Sequence, residues 1–179
     1  MRPPKLRLKP ETSEDAMSLG DEGGSEVGFE TIRARNWPSV TQFSVFLENR
    51  VGRLLEVVRA FQGTKVRIVG LSISDSADCC IVRLVLSHPE QGREILERHR
   101  MPFAENELIV TQLPAGPQSL TDMCLGLLQA EINIHYSYAL IVHPHGRAAV
   151  ALHVDNNEAA GSTLHDIGFD ILSESDLRA

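Results

Sequence analysis

From Thr41 onward the sequence repeats itself, and that repeat restricts the fold more than any single motif within it. Leu54 and Leu120 lie 66 positions apart, as do Val58 and Cys124, Ile68 and Ile134, Leu84 and Val150, and Phe103 and Phe169. One ungapped shift therefore aligns apolar positions from most of the predicted elements. The second helices fit it less well, because Ile95 and Leu96 land on Gly161 and Ser162. Self-similarity at one period means one supersecondary unit used twice.

Periodicity shows what that unit is. Residues 42–47 alternate, with Phe43, Val45 and Leu47 on one strand face. A turn at 48–52 leads to Leu54, Val57, Val58 and Phe61 at helical spacing, and Gly63 stops that helix. Residues 66–74 are apolar and β-branched, which predicts a strand; 75–78 is a turn, and Cys80, Val82, Leu84 and Leu86 alternate along the next strand. Pro89 suits the first turn of a second helix running to about His99, and a short strand near Phe103 closes the unit. The second copy has a strand at 108–113, a turn at 114–117 and a helical stripe of Leu120, Met123, Cys124 and Leu127. A strand at 132–142, a turn at 143–146 and alternating Ala148, Val150 and Leu152 follow, then a helical stripe of Ala160, Thr163, Leu164 and Ile167 and a short strand at 169–172. The order βαββαβ, twice, predicts an α+β protein of two ferredoxin-like units, each an antiparallel four-stranded sheet with its helices on one face. The units are expected at 39–106 and 107–179.

Residues 1–38 read differently. Residues 11–30 hold seven acidic residues and no basic one, are rich in Gly and Ser, and offer almost nothing to bury. That is the composition of a disordered acidic tail. A solvated leader accounts for it more simply than an interaction arm does. Trp37-Pro38 is where order is expected to begin. The formal net charge of −7 repels phosphate backbones unless basic residues cluster, and they do not in the folded part, so no nucleic-acid partner is expected. Aromatics make up only 5% of the chain, so the core must be aliphatic. Three cysteines, Cys79, Cys80 and Cys124, without CxxC spacing argue for a reducing cytoplasm rather than a disulfide framework. No stretch approaches the roughly 20 apolar residues of a membrane span, and the basic residues at 1–10 are not followed by the apolar run of a signal peptide.

The turn before each first helix carries the most informative motif. The first unit has Asn49-Arg50-Val51-Gly52-Arg53-Leu54, and the second has Ala115-Gly116-Pro117-Gln118-Ser119-Leu120. The second unit also has Glu131-Ile132-Asn133-Ile134 where the first has Lys65-Val66-Arg67-Ile68. These segments resemble the ACT family of amino-acid-binding regulatory domains, with its Pro-Gly-x-Leu turn and its Gly-Ile-Asn-Ile-like start to the second strand. The first turn keeps the glycine and leucine but has Val51 for proline; the second keeps the proline and leucine but has Gln118 for glycine. The resemblance covers 41–179, and a tandem pair with no attached enzyme looks like the small two-ACT regulators, such as the glycine cleavage repressor type. It implies a small amino acid ligand, an unknown regulated protein as partner, no cofactor and no catalysis. It also implies that ACT units pair, within the tandem chain or as a homodimer.

The chemistry of the turn supports the resemblance on its own terms. A helix N-terminus offers unpaired N–H groups and a positive dipole end to a carboxylate. Gly52 lets backbone approach closely, and the Asn49 side-chain carbonyl can accept from an ammonium. The plainer reading is that Asn49 and Gly52 only make a turn and cap a helix. The units are unequal: Ala115 replaces Asn49, Gln118 replaces Gly52, and Asn133 stands where the first unit has Arg67. The ligand-binding residues are therefore expected to be Asn49, Arg50, Val51, Gly52, Arg53 and Leu54 from the first unit, facing Asn133 and Ile134 of the second. Gly116 and Gln118, from the corresponding second turn, complete the expected ligand-binding set.

Other readings are weaker. His143-Pro144-His145, with His135 or His153, has no cysteine or carboxylate at metal-site spacing and reads as an exposed hairpin turn. Cys80 and Cys124 read as core residues, and Tyr136 and Tyr138 as strand packing. An RNA-recognition domain shares the plan but needs exposed aromatics on its third strand, and 81–86 and 147–153 contain none. An enzyme of acylphosphatase type survives weakly on Arg50 and Arg53. A protein-interaction module that has lost its ligand is the remaining alternative.

Overall fold

A computed structural model describes residues 37–75 and 79–178. The tail expected at 1–38 lies outside the described residues, apart from Trp37 and Pro38. The elements run β1 (Val40–Glu48), α1 (Arg53–Ala60), β2 (Ile68–Asp75), β3 (Cys79–Leu86), α2 (Pro89–Arg98), β4 (Phe103–Gln112), α3 (Ser119–Gln129), β5 (Ile134–Ala139), β6 (Ala149–Val154), α4 (Asn157–Asp166) and β7 (Ile171–Leu172). The strands form one antiparallel sheet in the order β2-β3-β1-β4-β6-β5, with β7 also on β4.

The two strands expected near Phe103 and at 108–113 are one strand. No glycine or proline interrupts Phe103–Gln112, and the lone Asn106 does not stop the strand. Its first part pairs with β1, through Val45↔Phe103 to Val40↔Leu108. Its second part pairs with β6 and β7. β4 is thus the last strand of the first ferredoxin-like unit and the first strand of the second. The boundary expected at 106–107 falls in the middle of this strand.

Backbone pairing also refines the repeat. β1 and β4 correspond at an offset of 66, and so do β2 and β5, whose bulges fall at the same place, between Ile68 and Gly70 and between Ile134 and Tyr136. In the third strands the offset becomes 68: Phe43 pairs Leu84, whereas Ile109 pairs Leu152. The hairpin turn of the second unit, which contains a 3-10 turn at Pro144–Gly146, is two residues longer. Leu84 therefore corresponds to Leu152 and not to Val150. Phe103, which pairs Val45, corresponds to Ile171, which pairs Thr111, and not to Phe169. The poor fit of the second helices disappears, since Leu96 now falls on Leu164 and both are fully buried.

Each unit packs its helices on one sheet face. Phe43, Val45, Val82 and Leu84 meet Val57, Phe61 and Leu96 in the first core. Ile109, Val150 and Leu152 meet Met123, Leu127 and Leu164 in the second. Each such side chain contributes about 1.5–3 kcal/mol by leaving water. The opposite faces of the two units turn toward each other. The sheet curls until β2 meets the end of β5, through a bridge between Gly70 and Leu140 and a bond from Ile141 N–H to Val69 C=O at 2.8 Å. A third core of Val69, Val85, Leu108, Val110, Leu140 and Ala151 fills the curl. Gly70 eases the close approach at the meeting point, since a Cβ there would lie 2.8 Å from Leu140 Cδ2 and push that side chain aside.

Helix faces hold corrections: Val58 and Ile167, read as parts of apolar stripes, are 41% and 45% exposed. Cys124, expected in the core, is exposed. α3 buries Met123, Gly126 and Leu127, and Leu120 stands 53% exposed. The apolar residues of this helix span more than one face, so spacing alone did not choose between them. Cys80, by contrast, packs against the first core as expected.

Candidate functional site

The turn between β1 and α1 ends at Gly52, whose φ of 94° lies in the left-handed region that glycine tolerates best. Gly52 occupies the N-cap and supplies no side chain to the first turn of α1. A cleft of about 240 Å³ opens here, lined by Asn49, Arg50, Gly52, Arg53 and Leu54 together with Ile73, Asp75 and Cys80. Five of the six predicted first-unit residues thus share one cavity; Val51 points fully into solvent instead. Arg50 pairs with Glu48 at 2.7 Å and Arg53 Nη1 with Glu56 at 2.6 Å. The Nε of Arg53 is buried without a hydrogen-bond partner.

The corresponding turn of the second unit opens a larger cleft of about 570 Å³. Gly116, Gln118 and, on α3, Ser119, Asp122 and Gly126 line it together with Ile167 and Phe169. Gln118, at the N-cap of α3, makes no side-chain cap bond. Asn133 is exposed, and its backbone exchanges bonds with Asp155 at the end of β6: its N–H donates to Asp155 Oδ1 and its C=O accepts from Asp155 N–H, both at 3.3 Å. Ile134 packs against the second core. Neither residue lines the two clefts just described.

A polar cluster inside the curl was not anticipated. Gln42, fully buried on β1, donates to Tyr136 Oη at 2.8 Å and Ser44 Oγ at 3.1 Å, and accepts from Tyr138 Oη at 2.8 Å. One side chain of the first unit therefore ties down two tyrosines of the second. Arg83 lies over the Tyr136 ring at 4.2 Å, and His153 stacks on the same ring at 4.8 Å. Burial, reinforced by Tyr136, pushes the Tyr138 phenol well above its usual range. His153 is held below the ordinary histidine range by burial first, then by His135 and Arg83. The available signal was the alternation Gln42, Ser44 against Phe43, Val45. It marks two faces but does not say that the polar one is covered.

His143 precedes the 3-10 turn and His145 lies within it, and Gln112 Nε2 donates to Pro144 C=O there at 2.5 Å. Among the described residues, no three His, Cys, Asp or Glu side chains converge as a metal site, and no helix is long and apolar enough to cross a membrane.

The ACT domain pair, as a family, matches residues 38–179. Among solved structures, the chain is similar to protein BT0572 from Bacteroides thetaiotaomicron, at 26% identity and a TM-score of 0.72, over 80% of this chain and 98% of that one. It is also similar in fold to the ligand-free regulatory subunit of aspartate kinase from Thermus thermophilus, at 12% identity and a TM-score of 0.53, over 74% of this chain and 95% of that one. No curated protein matches the chain.

Proposed function

This chain belongs to the family of ACT domain pairs, and from that premise we propose that it binds a small free amino acid and passes the bound state to a partner protein. The family gives it a regulatory, ligand-binding and non-enzymatic role in general. The finer reading rests on the cleft at the start of α1. Arg53 Nε lies buried there without an acceptor, beside a helix N-terminus that no side chain caps. An amino-acid carboxylate satisfies both: it accepts from the guanidinium and meets the positive end of the helix. Asn49 offers a carbonyl to the ammonium, and Leu54 and Ile73 offer apolar wall to a short side chain. In this reading Asn133 and Ile134, at the start of β5, carry the effect of binding into the second unit. The regulated partner acts in the cytoplasm, in keeping with three free cysteines.

A thermal-shift screen of the common amino acids, followed by calorimetry, tests the reading, because a ligand bound only to the native state raises its melting temperature. Asn49→Ala is expected to weaken binding by about 1–3 kcal/mol, and Ala115→Gly to leave it unchanged. If no amino acid shifts the transition, the reading fails. Loss of binding in Ala115→Gly with Asn49→Ala unaffected would place the ligand in the larger cleft of the second unit.

A further inference from the structure

The inner face of the curl carries positive charge that nothing in the described chain balances. Arg83 on β3 pairs across the ladders with Ser44 on β1 and Ser72 on β2, so all three side chains stand on the same face. Among the described residues no carboxylate pairs with Arg83; its contact is the Tyr136 ring. From the second unit His153 stacks on that same ring, with His135 5.2 Å from it. The Nδ1 of His153 is buried and has no hydrogen-bond partner. In a chain with net charge −7, three groups able to carry positive charge have collected at one mouth of the curl without a counterion. Water reaches the place, since Arg83, Ser72 and Tyr136 are only half-buried and His135 is exposed.

We infer that a small oxyanion, a carboxylate or a phosphate, binds between the two units on Arg83, Ser72, His135 and His153. The guanidinium supplies a planar fork of donors that suits two oxygens of either anion. Ser72 stands across the β2–β3 ladder from Arg83, and His153 Nδ1 is a buried ring nitrogen without a hydrogen-bond partner. Arg83 and Ser72 come from the first unit and both histidines from the second. An anion here clamps the open side of the curl, away from the turns at 49–54 and 114–118, and so forms a second input to the protein, separate from the proposed amino-acid cleft.

Histidine ring resonances of the full chain, followed by NMR at pH 6.5 against sodium chloride at matched ionic strength, decide the matter. Inorganic phosphate and succinate serve as probes. At least one of them is expected to move the His135 and His153 signals saturably. Saturation by phosphate alone assigns a phosphorylated ligand, and by succinate alone a carboxylate. Arg83→Gln is expected to raise the dissociation constant tenfold or more, and His135→Ala several-fold. Asn49→Ala should leave it unchanged, which separates this site from the amino-acid cleft. The inference is overturned if neither probe gives saturable shifts, or if Arg83→Gln binds within twofold of the parent. Should Arg83→Gln fail to fold, the exposed His135→Ala and the charge-keeping Arg83→Lys take its place, and unchanged affinity in both overturns it equally.

Discussion

Replacing Gln42 by leucine should cost this protein more than any other single polar substitution. The two side chains are close in volume, so the change creates little cavity. It deletes three hydrogen bonds at once, to Tyr136 and Tyr138 of the second unit and to Ser44. A net hydrogen bond contributes about 0.5–1.5 kcal/mol, and a buried polar group stripped of its partner costs about 1–3 kcal/mol. Two phenol hydroxyls lose their partner, and burial already pushes the Tyr138 phenol upward. The expected destabilisation is about 2–4 kcal/mol. For a fold of this size that lowers the melting temperature by about 6–12 °C. Urea denaturation at fixed protein concentration reads it directly. Tyr138→Phe alone strands the buried Gln42 carbonyl oxygen, and the double variant removes both partners. The double variant should therefore cost about 1–2 kcal/mol less than the sum of the singles. A Gln42→Leu cost under about 0.5 kcal/mol, or a strictly additive cycle, would refute the view that this residue binds the units together.

Three further outcomes are expected. Leu164→Ala should cost about 2–5 kcal/mol, as a fully buried leucine does, while Ser162→Ala should stay within about 0.5 kcal/mol; chemical denaturation of both checks the register assigned to α4. His153 has a lowered folded-state pKa, so its unfolded form takes up the proton first as pH falls. Its contribution is intact above the unfolded value near 6.5 and is lost as pH drops through the folded one, so melting curves of the parent should fall faster below pH 6.5 than those of His153→Asn. Residues 39–106 expressed alone would expose the inner face that holds Val69, Val85 and Gln42, and should elute as an oligomer or give poorly dispersed amide spectra; a well-folded monomer would contradict this.

The repeat made the two-unit plan legible in the sequence itself, and its one error has a simple cause. Two extra residues in a hairpin turn leave a strand's inward and outward positions in phase, because side chains alternate with a period of two. Val150 therefore looked as good a counterpart for Leu84 as Leu152 does. In a helix the same two residues rotate the pattern by about 200°, which is why Ile95 and Leu96 seemed to land on Gly161 and Ser162. Cys124 was misread because α3 carries apolar residues around much of its circumference, and only tertiary packing selects Met123 and Leu127. The clefts at 49–54 and 114–118 follow from local turns and were foreseeable. The Gln42, Arg83, Tyr136 and His153 cluster was not, since it brings together side chains from β1, β3, β5 and β6, and depends on a curl that no local segment encodes.

The strand shared by the two units has a consequence for how this chain tolerates insertion and deletion. A linker between domains absorbs added or lost residues of any number. Here the junction is a run of pleated backbone, with Ile109 directed to one core and Leu108 and Val110 to another. One residue added between Asn106 and Glu107 would invert everything downstream on that strand, sending Ile109 into the curl and Leu108 and Val110 toward the helices. Two added residues would restore the facing but slide Leu108 out of line with its present partner Val40. The middle of β4 thus behaves like a reading frame: its length can change only in even steps, and even those force one unit to slip along the other.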